Sequence, residues 1–260
     1  MASLVQTGRL AWRGMGQSAN VRTLHAAILP PGPTHIHGLS SLAANDNIGT
    51  VLAASFSSAL VSDFLVKVTG VSNIQPGVLE QIPLVRNHNL ESQLILRTLR
   101  LNCLVLPYAP LWLELYSSAW QRDAWVPGLG VDYTSRAPLG AVGRQWEWAT
   151  PLRRAGDRRQ ALIEIDAIVA IMIGITAEEL VTIYRTQFPV LRRYEREARY
   201  DRTGRQLPTK LAAEYRKKGS LKDSDLTVDG ITYRGPFVGV DRERDMELAY
   251  KHFSSLIERR

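Results

Sequence analysis

The most apolar segment of the chain, residues 162–175, sets the first limit on the fold. It covers about one half to two thirds of the length that a bilayer requires, and it contains Glu164 and Asp166. We therefore predict no membrane partner, and we interpret the segment as the apolar interior of a helix over 153–173. The first residues lack a long apolar run, so the sequence predicts no secretory signal. These features favour a cytoplasmic protein.

The amino-acid composition excludes some classes of protein and weakly favours one kind of partner. The 260 residues are 45% hydrophobic and 22% charged, which is typical of a globular protein. The single cysteine, Cys103, excludes a disulfide framework and a cysteine-based zinc site within the chain, and its apolar surroundings predict a core thiol. The net charge is +7, with 22 basic and 17 acidic residues after residue 150. This excess weakly favours a polyanionic partner such as nucleic acid, with a solvated surface as the alternative.

Hydrophobic spacing and turn residues predict an α+β fold. We expect a mixed β/α lobe over 1–150, followed by a mainly helical lobe with a small hairpin over 151–260. In the first lobe we predict strands within 8–30, a helix over 49–68, a short strand over 78–85 and helices over 89–104 and 111–119. Residues 125–150 contain Trp125, Trp146 and Trp148, more than a free linker usually has, so we interpret them as an irregular connector packed on the body.

In the second lobe, Thr176 and Glu179 have the spacing of a capping box, which starts a helix after the one over 153–173. The pairs Glu164 with Asp166 and Glu178 with Glu179 are interpreted as structural rather than as acid–base pairs. The remaining predictions are a helix over 190–198, a hairpin turn over 200–205 with Gly204 at a positive φ, an exposed basic segment over 209–228 and a helix over 242–258.

Few residues point to catalysis. The sequence contains no GxSxG, GxxxxGK[ST] or GxGxxG motif, so neither a serine hydrolase elbow nor a phosphate-binding loop is predicted. His25, His35 and His37 lie close together, but no carboxylate or cysteine with ligand spacing accompanies them. A metallohydrolase built on these histidines is therefore our lowest-ranked hypothesis, and no metal is expected.

A polar cluster near the start of the chain is the first candidate for nucleic-acid contact. Arginine and asparagine can hydrogen-bond the edges of guanine and adenine in two places at once. The alternative is a set of arginines held by hydrogen bonds inside a small β-domain. The cluster consists of Trp12, Arg13, Asn20, Arg22 and Thr23.

Four segments of the chain resemble the target-recognition region of type IIG-like DNA adenine methyltransferases, including those of restriction–modification and DISARM-type anti-phage systems. Asn20 to Thr23 matches the family's Asn-x-Arg-Thr element, and Pro30, Pro31 and Gly32 match the Pro-Pro-Gly that follows it. The other segments are VSNIQPGVLEQIPL (71–84), EIDAIVAIMIGITAEELVTIYRTQFPVLRRYER (164–196) and GPFVGVDRERDMELAYKHF (235–253).

The resemblance implies a division of labour. Such enzymes bind S-adenosylmethionine through an FxGxG-type motif and hold the adenine with an NPPY-type tetrapeptide, and neither motif occurs in this chain. We therefore expect a DNA-binding recognition part, with the catalytic part and its cofactor supplied by another domain or subunit. Double-stranded DNA would be the partner, and phosphate contacts would come from Arg153, Arg154, Arg158 and Arg159.

The second hypothesis is a protein-interaction subunit of a defence complex, with no direct reading of bases. In that case the segment over 176–199 would dock onto other defence-system proteins. Its apolar face consists of Leu180, Ile183, Phe188 and Leu191, and exposure of that face would favour docking.

Overall fold

The computed structural model of the chain describes residues 8–17, 19–131, 133, 136–218 and 224–258. Within these residues the fold is α+β, as predicted, with ten α-helices and five strands in two small sheets. The strands are β1 (Arg9–Arg13), β2 (Ala26–Leu29), β3 (Leu39–Leu42), β4 (Leu226–Val228) and β5 (Ile231–Tyr233). The helices are α1 (Asn47–Ser58), α2 (Leu60–Val68), α3 (Pro76–Leu79), α4 (Glu91–Asn102), α5 (Ala109–Leu115), α6 (Ala155–Met172), α7 (Ala177–Gln187), α8 (Pro189–Glu197), α9 (Thr209–Lys218) and α10 (Arg242–Glu258).

The first sheet is antiparallel and has the order β2-β1-β3, which confirms strands within 8–30. Its central strand, β1, is buried from Arg9 to Trp12. Trp12 pairs with Ala26 on one side and with Ser40 on the other. Its indole N–H donates to the Ile74 carbonyl at 2.8 Å, so the sheet is tied to the segment before α3.

Helix α6 lies at the centre of the molecule and is buried on nearly all sides, which explains its apolar sequence. Helices α1, α2, α4, α7 and α10 all pack against it. One hydrophobic core extends from Leu10 to Phe253. It crosses the predicted boundary at residue 150, so the lobes over 1–150 and 151–260 share a core.

The helix predicted over 49–68 is two helices, bent by 70° between α1 and α2. The prediction of one helix is wrong because Ala59 has extended backbone angles (φ −78°, ψ 147°). The backbone N–H of Leu60, freed by this break, donates to the buried Asp166 carboxylate at 2.8 Å. Among the described residues no single helix has both the length and the apolarity to cross a membrane, and only this bent pair reaches them together.

Two further predictions need correction. Residues 78–85 form no strand: Pro76 lies at the start of α3, where its missing N–H costs nothing. The basic segment over 209–228 is not uniformly exposed, since its first part is α9, whose Ala212 is buried, and it ends in β4. The described residues of 125–150 form an irregular connector that packs on the core through Trp125 and Trp146, as predicted, whereas Trp148 is 69% exposed. The predictions of the capping box at Thr176 and of a helix over 242–258 are confirmed.

Candidate nucleic-acid interface

A groove of about 1030 Å³ runs between the start of α6, the turn over 201–206 and the β4–β5 hairpin. No aspartate or glutamate is among the described residues that line it. We call it the basic groove because its lining includes Arg153, Arg154, Arg205 and Arg234. A surface with positive charge and no carboxylates favours the binding of a phosphate backbone.

The turn over 201–205 is organised by Asp201, which is fully buried. One of its carboxylate oxygens accepts from the backbone N–H groups of Thr203 (2.8 Å) and Arg205 (2.9 Å). The other accepts from the backbone N–H of Arg234 at 3.2 Å. Gly204 has a φ of +80°, as the sequence predicts. Asp201 therefore positions the backbone of two groove arginines.

The β4–β5 hairpin forms the other wall of the groove. Asp229 and Gly230 connect its strands, with φ values of 51° and 75°. Asp-Gly between two apolar runs is a strong hairpin signal that our sequence reading missed. The predicted site residues include neither Arg205, in the turn over 201–205, nor Arg234, directly after β5.

A second cavity, of about 690 Å³, opens between the first sheet and helices α6 and α8. We call it the central cleft. It brings together predicted residues from both halves of the chain: Arg13 and Arg22 lie in its lining with Arg158 and Arg159. Ala155 and Gln206 line both the cleft and the basic groove, so the two form one concave surface. Most of the predicted site residues therefore line this surface, although some are buried, whereas Asn20 and Thr23 line neither the cleft nor the groove.

Trp12 and Thr23 are 1% and 4% exposed, so they face the interior. The fully buried Asp63 forms an ion pair with Arg22 at 2.8 Å. It also accepts from the backbone N–H groups of Thr23 and Leu24, both at 2.9 Å. In this structure the Arg22–Thr23 element is thus held to α2 by one carboxylate.

Arg13 and Asn20 are the more accessible members of the N-terminal cluster. Arg13 is exposed, and its side chain forms no hydrogen bond or ion pair with the described residues. Asn20 is half-buried and donates to the Gln17 side chain at 3.0 Å. Arg13 is therefore available to a ligand that reaches the mouth of the cleft.

Arg158 and Arg159 make internal contacts. Arg158 donates to the carbonyls of Leu101 (3.0 Å) and Leu152 (3.1 Å), and burial lowers its pKa. Arg159 is 6% exposed and is ion-paired at 2.6 Å to both Glu195 and Asp245. Its charge is thus already neutralised.

Glu195 also forms an ion pair with a second buried arginine: its Oε1 lies 2.9 Å from Nη1 of Arg242. Arg242 also forms an ion pair with Asp166 at 2.7 Å. Burial by itself would raise the pKa of Glu195, but Arg242 and Arg159 together hold it below its ordinary value. This network joins α6, α8 and α10, and its members Arg159, Glu195 and Arg242 line the central cleft. Asp166 belongs to this network, and Glu164 forms a separate buried ion pair with Arg97 at 2.5 Å, so both carboxylates are consistent with the structural interpretation.

Arg153 and Arg154 lie at the edge of the basic groove. The Arg153 guanidinium is centred 3.4 Å from the ring centroid of Trp148. That of Arg154 lies 5.3 Å from the ring centroid of Tyr133. Both cations therefore sit beside aromatic rings.

The other sequence hypotheses find little support in the geometry. His25 and His37 are exposed, His35 contacts the Ser41 hydroxyl at 2.8 Å, and the described residues contain no group of three or more potential metal ligands. Cys103 is fully buried, and burial raises the pKa of its thiol to about 12. Of the proposed docking face, Leu180, Phe188 and Leu191 are buried and Ile183 is half-buried.

Comparison of the chain with protein-family models, with curated proteins and with solved structures finds no match.

Proposed function

We propose that this chain is the DNA-binding, target-recognition part of a site-specific DNA adenine-N6 methyltransferase of a restriction–modification or anti-phage system. The observation that carries the proposal is the continuous concave surface of the basic groove and the central cleft. Four arginines line the groove, no described carboxylate lies among them, and an exposed Arg13 lies in the adjoining cleft. The sequence resemblance supplies the enzyme class.

The structure of the surface suggests a division of roles. Arg205 and Arg234 are exposed and bind the phosphate backbone, which positions the duplex without reading it. Arg13, in the central cleft, reads base edges. Asn20 lines neither the cleft nor the groove, so it has no part in this division. Arg22 and Arg159 stabilise the fold around the central cleft through their ion pairs with buried carboxylates. The S-adenosylmethionine pocket and the residues that hold the target adenine belong to a catalytic domain or subunit outside this sequence.

The test measures binding of a short, fully paired, fluorescently labelled duplex to the purified chain by anisotropy at low salt. Replacing both Arg205 and Arg234 with alanine should weaken binding about tenfold or more, because two phosphate contacts are lost. The matched control is Arg122→Ala, which removes an exposed arginine that does not line the groove. Equal affinities for the double variant and the control would refute the proposed interface. No low-salt binding by the wild-type chain would refute the proposed function.

A further inference from the structure

Trp148 is the most exposed tryptophan of the molecule. All six tryptophans lie in the described part of the chain, and Trp148 is 69% exposed, whereas Trp12, Trp112 and Trp120 are each at most 2% exposed. Large aromatic side chains left in water are enriched at binding surfaces because covering them releases free energy. The exposure of Trp148 therefore favours a role in ligand binding.

The turn that carries Trp148 is rigidly anchored. The Thr150 hydroxyl accepts from the Glu147 backbone N–H at 2.8 Å, and the Glu147 carbonyl accepts from the Thr150 N–H at 2.9 Å. Beneath the turn, the buried Arg100 donates to the Thr150 carbonyl at 2.8 Å and to the Ala149 carbonyl at 3.3 Å. Burial lowers the pKa of Arg100 to about 10, so it stays charged at neutral pH.

Arg153 is held over this indole ring. Its Nε donates to the Trp148 carbonyl and its Nη2 to the Leu104 carbonyl, each at 3.0 Å. These bonds fix the guanidinium 3.4 Å from the indole centroid, and the side chain remains exposed. Two of its nitrogens already donate hydrogen bonds to carbonyls of the chain. Arg153 is therefore better suited to stacking than to hydrogen-bonding a phosphate.

The position of Trp148 and Arg153 beside the basic groove indicates which ligand they bind. Arg153 also lines the basic groove, so the stack stands at the edge of the surface that binds the DNA backbone. Nucleobases stack on indole rings and on guanidinium planes alike, and neither needs a particular base. In a fully paired duplex these faces are occupied by neighbouring pairs, so the available ligand is an unpaired base.

We propose that Trp148 and Arg153 form a stacking platform for one unpaired base of the DNA that lies in the basic groove. This inference rests on the proposed function, since the groove must first hold DNA. It assigns to Arg153 a stacking role in place of the phosphate contact that the sequence suggests.

The experiment compares three labelled duplexes of the same sequence: fully paired, with one unpaired nucleotide, and with an abasic residue in place of that nucleotide. The full chain should bind the duplex with the unpaired base about tenfold more tightly than either of the others. Trp148→Ala should remove this preference and leave affinity for the paired duplex unchanged. Trp148→Phe should retain most of it.

Tyr194→Ala is the matched control. Tyr194 is 49% exposed and has Arg193 6.0 Å from its ring centroid, but it does not line the groove. This variant should keep the full preference. In the wild-type chain, indole fluorescence should be quenched by the unpaired base, and Trp148→Phe should abolish that quenching.

The outcomes separate the two proposals. If the wild-type chain binds paired duplex but shows no preference, or if Trp148→Ala keeps the preference, the platform is refuted and the proposed function stands; Trp148 is then left as a protein contact. If no duplex binds at low salt, both proposals fail.

Discussion

At the scale of single residues, the same side-chain type serves two opposite purposes on this surface. Arg22 forms an ion pair with the fully buried Asp63, whereas Arg13 is exposed and lines the central cleft. Sequence spacing placed both in one candidate cluster, because spacing does not reveal which arginine has a buried carboxylate as its partner. Asp63 lies forty residues away from the motif that it holds.

The two arginines should therefore respond differently to truncation. Arg22→Ala should lower the free energy of unfolding by about 3 kcal/mol, because Asp63 is left buried without its counter-ion. Arg13→Ala should leave stability unchanged within about 0.5 kcal/mol and should weaken DNA binding. Urea unfolding and anisotropy on both variants check this. A stable Arg22→Ala variant with lost DNA binding would mean that Arg22 contacts DNA directly.

At the scale of elements, the sequence correctly predicts the features that depend on strong, short-range signals. The capping box at Thr176 and the helix over 242–258 depend on residues within one or two turns of each other. The break at Ala59 depends on Asp166, more than a hundred residues away, so helical periodicity could not show it. The β4–β5 hairpin also has a short-range signal, the dipeptide Asp229-Gly230 between its strands.

The turn over 201–205 gives a prediction at this scale. A Cβ on Gly204 would lie 2.6 Å from Cε1 of Tyr133, whereas one on Gly230, which also has a positive φ, would meet nothing within 4 Å. Gly230→Ala should cost about 1 to 2 kcal/mol of backbone strain. Gly204→Ala should cost about 1 kcal/mol more, because Tyr133 must move and its hydroxyl donates to Asp157. Equal losses in urea unfolding would show that Tyr133 does not constrain the turn.

The ion-pair network that joins α6, α8 and α10 predicts a pH dependence. The pKa of Glu195 is held below its ordinary value of 4.5, so its contribution to stability is fully present above that value and is lost as the pH falls through the lower folded-state pKa. Glu195→Gln should therefore cost about 3 kcal/mol at neutral pH.

The same variant should lose less of its remaining stability in acid than the wild-type chain does. The two curves of unfolding free energy against pH should approach each other below the ordinary carboxyl pKa. Curves that stay parallel throughout the acid range would contradict the assigned role of Glu195.

At the scale of the whole molecule, the fold class followed from the sequence, but the shape of the site did not. The predicted lobes over 1–150 and 151–260 share one core through α6. This packing places Arg13 beside Arg158 and Arg159 at the central cleft. It also turns the 201–206 segment and the hairpin toward the start of α6, which creates the basic groove. Contacts between distant segments decide such a surface, and no local pattern encodes them.

The account depends most on the claim that the basic groove binds a DNA backbone. Its direct measurement is the salt dependence of the affinity of the wild-type chain for a fully paired duplex. With Arg154, Arg205 and Arg234 each on a phosphate, the logarithm of the association constant should fall with the logarithm of salt concentration with a slope of about −2.7. Affinity should drop on the order of 40-fold between about 50 and about 200 mM salt. Binding that is absent at low salt, or that is independent of salt, would contradict the account.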